Sequence, residues 1–522
     1  MRIIDFYPTK CFFMPGETAG LVLELETAQA AQAKIRLEIT HLEQVIAEIS
    51  GEEELAAGRQ ELNFPWQPPL EPPSGYGANI SLSTQNSTCA ATTAFDVLPD
   101  WTAFPRYGFL CDFTPGRADI PEVVKRLARY HINGIQFYDW QYRHDKLLPP
   151  TREYVDPLQR RLSLDTVESF ITAAHQYGLA AMPYLAVYAA SAKFWRAHPE
   201  WALYNRDGEP VSFGEDFLGL MDPTSGRPWV EHLLDECERT LDNLPFDGLH
   251  IDQYGEPHQA WDSRGEAVNL PRAFADIIQT AHERFPDKSL VFNAVGNWPI
   301  EALASAPESF EYIEVWPPDT TYNDLAQIVQ TARSLSGGRP VVVALYLPAE
   351  RPANILLADA LILACGGSRI ELGENERLLT DPYFPKHQGL TDRIKRELRR
   401  FYDFAVRYGE WTGPAGEIAT GVSTSTLEGI QVIPRRSSGW LALHLINFSG
   451  LGEKPSWDKK HGEPRPQENL QVRVALPGLP KQVLWASPND PSLQPVSHEY
   501  NGGWLECQLP GLNYWGILAI ET

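Results

Sequence analysis

Two acidic residues in this sequence each end an apolar run and are followed, within a few residues, by aromatic or polar residues. The run in FDGLHIDQYG (246–255) ends at Asp252, and the run in FEYIEVWPPD (310–319) ends at Glu314. A buried parallel strand is apolar where it is packed and polar only at its C-terminal mouth. Two acids at two such strand ends therefore indicate acid/base or covalent catalysis.

The spacing of the two acids suggests how they work together. They are 62 residues apart, and we place them at the ends of the fourth and sixth strands of a parallel barrel. Strands two apart lie roughly 9 to 10 Å from each other, so side chains over the mouth can approach within about 5 to 6 Å. This separation is typical of a retaining glycosidase, in which one carboxylate attacks the anomeric carbon and the other transfers the proton.

The two acids need different protonation states in that mechanism. Asp252 must be ionised to attack, whereas the apolar surroundings of Glu314 should raise its pKa so that it carries a proton to donate. The alternatives are that Asp252 caps a turn at the strand end and that Glu314 pairs with a barrel arginine.

The region that must position these acids alternates apolar strands with capped helices, from about residue 101 to residue 410. Eight strands and about eight helices over roughly 300 residues predict an α/β fold, a (β/α)₈ TIM barrel. A doubly wound open sheet is the alternative. No glycine-rich phosphate loop follows the first strand, which counts against that alternative.

Helical periodicity is missing on both sides of this region. Short alternating segments separated by Gly and Pro indicate a β-sandwich at 1–100 and a second antiparallel β-sandwich at 411–522, with the catalytic barrel at 101–410 between them. The tract 449–469 is rich in Gly, Pro and charged residues. It is predicted to be a long loop, either mobile or peripheral.

Composition restricts the kinds of partner. The chain has 44 Lys and Arg against 68 Asp and Glu, a formal net charge of −24, which argues against nucleic acid and against an anionic membrane. A neutral substrate fits better, and the 15 Trp, 20 Tyr and 22 Phe include rings near strand ends that can stack on sugars. No cofactor and no metal site are predicted.

The cysteines and the N-terminus bear on the cellular compartment. Six cysteines are scattered without a CxxC motif or a zinc-like histidine spacing, so we expect free buried thiols. The opening MRIIDFYPTK has no charged start followed by an apolar stretch, and no run is long enough for a membrane span. We therefore expect a cytoplasmic protein, or a secreted one if a signal peptide has been removed.

Several motifs, in order along the chain, carry a resemblance to a known family. IQFYDWQYRHD, FDGLHIDQYG, FNAVGNW, EYIEVWP, and IELGENERLL with DPYFP resemble the barrel motifs of glycoside hydrolase family 66, the dextranases and cycloisomaltooligosaccharide glucanotransferases. The opening TKCFFMPGE resembles that family's N-terminal immunoglobulin-like domain. The resemblance covers nearly the whole chain. It implies a retaining enzyme acting on α-1,6-linked glucan, with Asp252 as nucleophile and Glu314 as general acid/base.

The resemblance also implies a set of substrate-binding residues around the barrel mouth. Asp139 would bond to sugar hydroxyls, with a salt bridge to Arg143 as the alternative, and one of Glu371 and Glu374 would be structural. The tyrosines of the third strand would stack on a glucosyl ring or simply pack. The full set is Tyr138, Asp139, Trp140, His144, Tyr184, Tyr188, Asn293, Trp316, Glu371 and Glu374.

One departure from the family pattern separates two reactions. The cyclising members carry an extra carbohydrate-binding insertion late in the barrel, whereas here a helix of ordinary length joins the seventh and eighth strands. This favours hydrolysis of dextran or isomalto-oligosaccharides. The alternatives are a cycloisomaltooligosaccharide glucanotransferase or other transglycosylase on the same substrates and, less favoured, a catalytically inactive glucan-binding protein.

Overall fold

The computed structural model describes residues 1–69, 74–370 and 372–522. Near the N-terminus, two antiparallel sheets face each other across a core that includes the fully buried Leu23 and Leu37. In spatial order, one sheet has Arg2–Pro8, Ala19–Thr27 and Gly58–Trp66, and the other has Gln44–Leu55, Ala31–His41, Ser74–Ser83 and Thr88–Val97. This arrangement is the predicted β-sandwich.

Eight parallel strands form the central barrel and neighbour one another in chain order. Their residues are almost all buried because helices cover the outside and side chains fill the inside. From first to eighth, the strands are Tyr107–Leu110, Gly134–Phe137, Ala180–Ala186, Gly248–Asp252, Ser289–Val295, Glu311–Glu314, Val341–Ala344 and Gly367–Ile370.

The barrel closes between its eighth and first strands. The backbone N–H of Phe109 donates to the carbonyl of Leu372 at 3.1 Å, and Oγ of Ser368 donates to the carbonyl of Pro105 at 2.5 Å. The predicted (β/α)₈ barrel is confirmed, and the open-sheet alternative is excluded.

A helix follows each barrel strand. In strand order the helices are Ile120–Arg129, Leu164–Gln176, Pro228–Asn243, Leu270–Arg284, Ile300–Leu303, Tyr322–Leu335, Pro352–Ala364 and Asp392–Arg407. The fifth has only one turn. The sixth begins with a capping box, in which Thr321 and Asp324 each accept a hydrogen bond from the other's backbone N–H, and this fixes where the chain enters the helix.

Short elements decorate the barrel loops. Two-stranded or three-stranded sheets are formed by Glu153–Val155 with Arg161–Ser163, by Ala189–Ser191 with Leu218–Leu220 and Ser212–Phe213, by Ala260–Trp261 with Ala267–Val268, and by Arg377–Leu378 with Gln388–Gly389. The remaining helical turns are Trp101–Ala103, Ala192–Ala197, Pro199–Trp201, Glu374–Glu376, Phe384–Lys386 and Gly409–Thr412.

The C-terminal part is a second antiparallel sandwich, as predicted. One sheet has, in spatial order, Glu417–Ile418, Ile430–Ser437, Trp440–Asn447, Trp515–Glu521, Gln482–Ser487 and Asp490–Pro495; the other has Thr424–Ser425, Gln467–Ala475, Trp504–Leu512 and His498–Asn501. Leu443, Val472 and Leu518 are fully buried between them. The domain limits at residues 100 and 410 stay predictions, and the short helix Gly409–Thr412 spans the second limit.

The tract 449–469 lies against the barrel. The ring of Trp457 is buried, and its Nε1 donates to the carbonyl of Asp319 at 3.0 Å. Nδ2 of Asn354 donates to the carbonyls of Trp457 and Lys459 at 2.9 and 2.8 Å. The tract up to residue 466 is therefore a long loop, as predicted, and these contacts anchor it on the surface of the barrel.

The thiols agree with the sequence analysis. All six cysteines are free; five are buried and Cys89 is half-buried. Within the described residues, no helix combines the length and apolar character needed to cross a bilayer.

Candidate active site

A cavity of about 590 Å³ lies at the C-terminal mouth of the barrel. Asp252 is the last residue of the fourth strand and Glu314 is the last residue of the sixth. Both side chains line the cavity. The C-terminal face is where the catalytic groups of such barrels are found, because loops from all the strands converge there.

A single amide group joins the two carboxylates. Nδ2 of Asn293, on the fifth strand between them, donates to Oδ1 of Asp252 at 2.8 Å and to Oε2 of Glu314 at 2.9 Å. Because both bonds share one nitrogen, the two oxygens are no more than 5.7 Å apart, the sum of the two bond lengths. Retaining glycosidases hold their carboxyl groups about 5 to 5.5 Å apart, and inverting enzymes hold them farther apart.

Each acid also accepts hydrogen bonds of its own. The hydroxyl of Tyr184 donates to Oδ2 of Asp252 at 2.9 Å, and the backbone N–H of Gln253 donates to its Oδ1 at 2.9 Å. The hydroxyl of Tyr346 donates to Oε1 of Glu314 at 2.7 Å. These bonds fix the direction of both carboxylates before any substrate is present.

An aromatic layer forms the floor of the site. Side chains alternate along a strand, so His250 and Tyr312, two residues before each acid, point the same way one layer deeper. Their ring centroids are 4.7 Å apart, and the hydroxyl of Tyr107 lies 3.2 Å from Nδ1 of His250. Burial lowers the pKa of His250 to about 3, so its ring is neutral. The acids therefore rest on an uncharged floor.

Burial and mutual repulsion shift the pKa values of the two acids. Burial, and next the charge of Glu314, raise the pKa of Asp252 to about 7, against the lowering effect of the bonds from Asn293 and Tyr184. Burial also raises the pKa of Glu314, opposed by bonds from Tyr346, Asn293 and Trp316. Because repulsion from Glu314 is one of the causes of the shift in Asp252, the two acids titrate as a pair, and this repulsion favours one ionised and one protonated carboxyl.

That protonation state is the one that a nucleophile and an acid catalyst require together. The sequence analysis placed the raised pKa on Glu314 alone, whereas the structure raises the pKa of both acids. Two like charges this close cannot both ionise without penalty. Repulsion therefore favours one ionised and one protonated carboxyl over two ionised ones.

Comparison with known proteins now identifies the family. A model of glycosyl hydrolase family 66 matches residues 8–519. The chain belongs to glycosyl hydrolase family 66. The match includes both sandwiches and the barrel, so family 66 describes nearly the whole chain and confirms the resemblance carried by the barrel motifs.

The similar proteins of family 66 are named either cycloisomaltooligosaccharide glucanotransferase or dextranase. One cycloisomaltooligosaccharide glucanotransferase from Niallia circulans is 28% identical over 370 residues, which cover 65% of this chain and 38% of the relative. A second one from Niallia circulans is 26% identical over 699 residues, which cover 99% of this chain and 72% of the relative. A dextranase from Streptococcus salivarius is 22% identical over 562 residues, 86% of this chain and 67% of the dextranase. The first match thus spans well under half of that relative's length.

A solved structure of the same type shares the fold. The crystal structure of a Paenibacillus sp. cycloisomaltooligosaccharide glucanotransferase complexed with cycloisomaltoheptaose has a TM-score of 0.92 and 20% identity, with 99% of each chain covered. A barrel flanked by two β domains is therefore the fold of both chains.

Most of the predicted substrate-binding residues do reach the cavity. The hydroxyl of Tyr184 bonds to Asp252, and the ring of Tyr138 lies 5.1 Å from that of Tyr184. The ring of Trp316 is 38% exposed. The cavity lining includes Tyr138, Asp139, His144, Tyr184, Tyr188, Asn293 and Trp316.

Asp139 and His144 lie on the same side of the mouth. The carboxylate of Asp139 is 3.6 Å from Nη2 of Arg160, so the predicted alternative partner, Arg143, is replaced by Arg160. Burial raises the pKa of Asp139 to about 6, with Arg160 opposing the shift. Burial also lowers the pKa of His144 to about 4, and its buried Nδ1 has no partner. Both side chains offer unused polar atoms to a ligand.

Trp140 does not face the cavity, which corrects its prediction as a substrate-binding residue. Its side chain is fully buried, and Nε1 donates to the carbonyl of Tyr184 at 3.2 Å. Its ring lies 5.2 Å from that of Phe246. The reason lies in Asp139, whose φ of 52° turns the chain back toward the core. Trp140 therefore supports the backbone that carries Tyr184.

Glu374 is the structural member of the predicted pair Glu371 and Glu374, and it does not bind substrate from the cavity lining. Its Oε1 accepts hydrogen bonds from the backbone N–H groups of Cys111 and Asp112 at 3.1 and 2.8 Å, and its Oε2 is 3.4 Å from Nη1 of Arg117. The side chain is buried outside the cavity lining and ties the eighth strand to the first. Glu371, its predicted companion, lies outside the described residues.

One cluster of side chains has metal-ligand chemistry. Ligand atoms of Cys111, Glu374 and His387 lie within 4.8 Å of one another. The guanidinium of Arg117 already pairs with Glu374, and Nη1 of Arg377 is 3.4 Å from Nδ1 of His387. Two neighbouring cations make this cluster a poor fit for a metal ion.

Several cavity residues were not predicted. Tyr346 follows the seventh strand by two residues, in VVVALYLP, and a tyrosine just past an apolar strand end was a usable signal. Tyr383 and Phe384 come from DPYFP, which the family resemblance quoted without assigning a role, and Phe384 stacks on Tyr138 at 4.2 Å. Phe213 and Phe217 lie in a segment without periodicity, so no pattern indicated them.

Proposed function

We propose that this chain is a retaining glycoside hydrolase that cleaves the α-1,6-glucosidic linkages of dextran or isomalto-oligosaccharides. The observation that carries the proposal is the pair of acids at the ends of the fourth and sixth strands, with oxygens no more than 5.7 Å apart and held by one amide nitrogen of the strand between them. The linkage is supported by the names of the family 66 relatives, a dextranase and glucanotransferases of isomalto-oligosaccharides.

The first half of the reaction uses both acids. Asp252, ionised and aimed by Tyr184 and Asn293, attacks the anomeric carbon of the bound glucosyl unit. Glu314 gives its proton to the glycosidic oxygen, so the C–O bond breaks and the leaving sugar departs as an alcohol. The product is an ester between the glucosyl unit and Asp252.

The second half returns the enzyme to its starting state. Glu314, now ionised and stabilised by the bonds from Tyr346 and Asn293, takes a proton from water. The resulting hydroxide attacks the anomeric carbon and releases the Asp252 carboxylate. Two inversions give net retention of the α configuration.

Hydrolysis is favoured over cyclisation because no inserted domain lies between the seventh and eighth strands, a segment that the structure describes in full. Only the thirteen-residue helix Pro352–Ala364 joins them in the structure. The glucanotransferase that aligns with 99% of this chain does so over 699 positions, 177 more than the 522 residues present here. This chain therefore lacks the additional length of that relative.

Cycloisomaltooligosaccharide formation is the second candidate. It uses the same glucosyl ester on Asp252 and differs in the acceptor, which is the far end of the same glucan instead of water. The likeness to glucanotransferases, including one with a TM-score of 0.92, is the observation that favours it.

Product analysis tests both candidates. The purified protein is incubated with dextran and with isomalto-oligosaccharides, beside Asp252→Asn, Glu314→Gln and the control Glu256→Gln, an exposed acid beyond the fourth strand. Shorter linear products that vanish in the first two variants, and persist in the control, support the hydrolase. Cyclic products support the second candidate. Failure of the wild-type protein on every α-1,6 substrate would contradict the proposed linkage.

A further inference from the structure

A hairpin beside the third barrel strand carries two exposed phenylalanines into the catalytic cavity. Its strands Ser212–Phe213 and Leu218–Leu220 pair with each other, and the second also pairs with Ala189–Ser191, just beyond the third barrel strand. Phe213 is 50% exposed and Phe217 is 37% exposed. Both line the cavity that contains the two acids.

Exposure of these rings is unusual within this molecule. In the ranges 1–69, 74–370 and 372–522, no other phenylalanine is classed as exposed. Scattered apolar residues on a surface need no explanation, but apolar groups gathered at a cavity indicate a binding site. The exposed Trp316, two residues past the end of the sixth strand, lines the same cavity, so exposed aromatic rings border the cavity at more than one place.

The turn between the two phenylalanines has a left-handed backbone conformation, which is unfavourable for residues other than glycine. Gly214, Glu215 and Asp216 all have positive φ, at 63°, 54° and 66°. Left-handed backbone at two consecutive residues with a Cβ costs free energy and persists only where surrounding contacts impose it. Asp216 supplies those contacts, because it accepts a hydrogen bond from Ser212 at 2.7 Å and pairs with Arg196 at 3.1 Å.

The chemistry of the cavity indicates what these rings bind. The hairpin residues that line the cavity are Phe213, Phe217 and Leu218, so the hairpin contributes apolar surface and no charged group to the lining. A neutral glucan presents the apolar C–H faces of its pyranose rings to such surfaces, and the chain's net charge of −24 disfavours an anionic polymer with stacking bases. A neutral sugar polymer therefore fits the hairpin.

We propose that Phe213 and Phe217 form an aromatic platform that binds glucosyl units of the polymer beyond the linkage being cleaved. This inference rests on the proposed α-1,6-glucan hydrolase function and deepens it. The platform makes the enzyme select long chains, since only a substrate of several units reaches both the acids and the hairpin.

Chain-length dependence is the measurement that tests the platform. Values of kcat/KM are obtained for isomaltotriose through isomaltoheptaose and for dextran with Phe213→Ala, Phe217→Ala and the double variant. We expect losses of about tenfold for each ring on dextran, from one stacking contact, and less than twofold on the shortest substrate that the wild-type protein cleaves. Leu427→Ala, which removes an apolar side chain 50% exposed in the C-terminal part, is the control and should change neither value.

A second variant distinguishes the effect of the rings themselves from the effect of the turn that positions them. Asp216→Ala keeps both phenylalanines but removes the contacts that hold the turn, so it should reproduce the loss on long substrates alone. Melting temperatures of all variants confirm folding. Equal losses on every chain length, or none on dextran, would overturn the platform while leaving the hydrolase in place. If the wild-type protein cleaves no α-1,6-glucan, the proposed function fails and the platform fails with it.

Discussion

The hydroxyl of Tyr346 donates a hydrogen bond of 2.7 Å to Oε1 of Glu314 at the barrel mouth. This bond favours the ionised form of the acid and so lowers its pKa against the effect of burial. Tyr346 thereby sets how easily Glu314 parts with its proton. It is a positioning residue, because it acts on the substrate only through Glu314.

Tyr346→Phe should move one limb of the pH profile. Without the bond the pKa of Glu314 rises, so the acid keeps its proton to higher pH and the basic limb of kcat/KM shifts upward. A bond to a charged group contributes about 1.5 kcal/mol, and one pKa unit corresponds to 1.36 kcal/mol, so the shift is about one unit. Tyr254→Phe is the control, since the hydroxyl of Tyr254 lines the cavity without a partner. An unmoved basic limb would contradict the role of Tyr346.

Tyr184→Phe should move the opposite limb. Its hydroxyl stabilises the ionised form of Asp252 through the bond of 2.9 Å, so its loss raises the pKa of the nucleophile. Less of the enzyme then carries an ionised Asp252 at low pH, and the acidic limb of kcat/KM moves upward by about one unit. The basic limb should stay in place, because Glu314 does not contact this hydroxyl. Parallel movement of both limbs would contradict this separation of roles.

The catalytic pair could be predicted from the sequence because an acidic residue that ends an apolar run marks the C-terminal end of a buried strand. Asp252 and Glu314 each follow a short apolar run, and a parallel barrel brings the ends of its strands to one face. Asn293 also follows an apolar run, in VFNAVGNW, but it lies inside the fifth strand, which continues to Val295. The amide bridge itself could not be predicted, since it depends on side-chain rotamers and on the spacing of three strands.

Loop residues were harder to predict because backbone direction there depends on single torsions. The positive φ of Asp139 reverses the chain, and this sends Trp140 into the core although both residues belong to the same motif. The strand Gln44–Leu55 is difficult to recognise in the sequence for a different reason. It lies at the edge of its sheet and is mostly exposed, so its sequence lacks a buried alternation.

Glu374→Ala should reduce stability more than catalysis. The substitution leaves the backbone N–H groups of Cys111 and Asp112 unsatisfied and removes one carboxylate partner of Arg117, which keeps its ion pair with Asp119. Losing buried partners of this kind costs about 1 to 3 kcal/mol each, so the free energy of unfolding falls by about 3 kcal/mol. Denaturant titration measures that loss, with Glu301→Ala, at an exposed helix position, as the control. A raised KM at unchanged stability would instead return Glu374 to the substrate-binding set.

Asp252→Asn should stabilise the fold, with an effect that grows with pH. The pKa of Asp252 is about 7 in the folded protein against an ordinary value of 3.8. Between about pH 4 and pH 7 the unfolded chain releases this proton while the folded chain keeps it, so wild-type stability falls as pH rises through that window and stays lower above it. Asparagine does not ionise and removes the repulsion with Glu314. The gain at pH 8 is on the order of 4 kcal/mol, from a shift of about three units.

Melting temperatures of the wild-type protein and of Asp252→Asn at pH 5 and pH 8 measure this pH-dependent gain in stability. The variant should exceed the wild-type protein by more at pH 8 than at pH 5, while its activity is lost at both. Asp156→Asn is the matched control, because Asp156 is a buried acid 2.6 Å from Nη2 of Arg160 and its removal should destabilise the fold. A gain of equal size at both pH values would show that Asp252 is not protonated in the folded protein. The proton of the pair would then reside on Glu314 throughout this pH range, and the raised pKa of Asp252 would be contradicted.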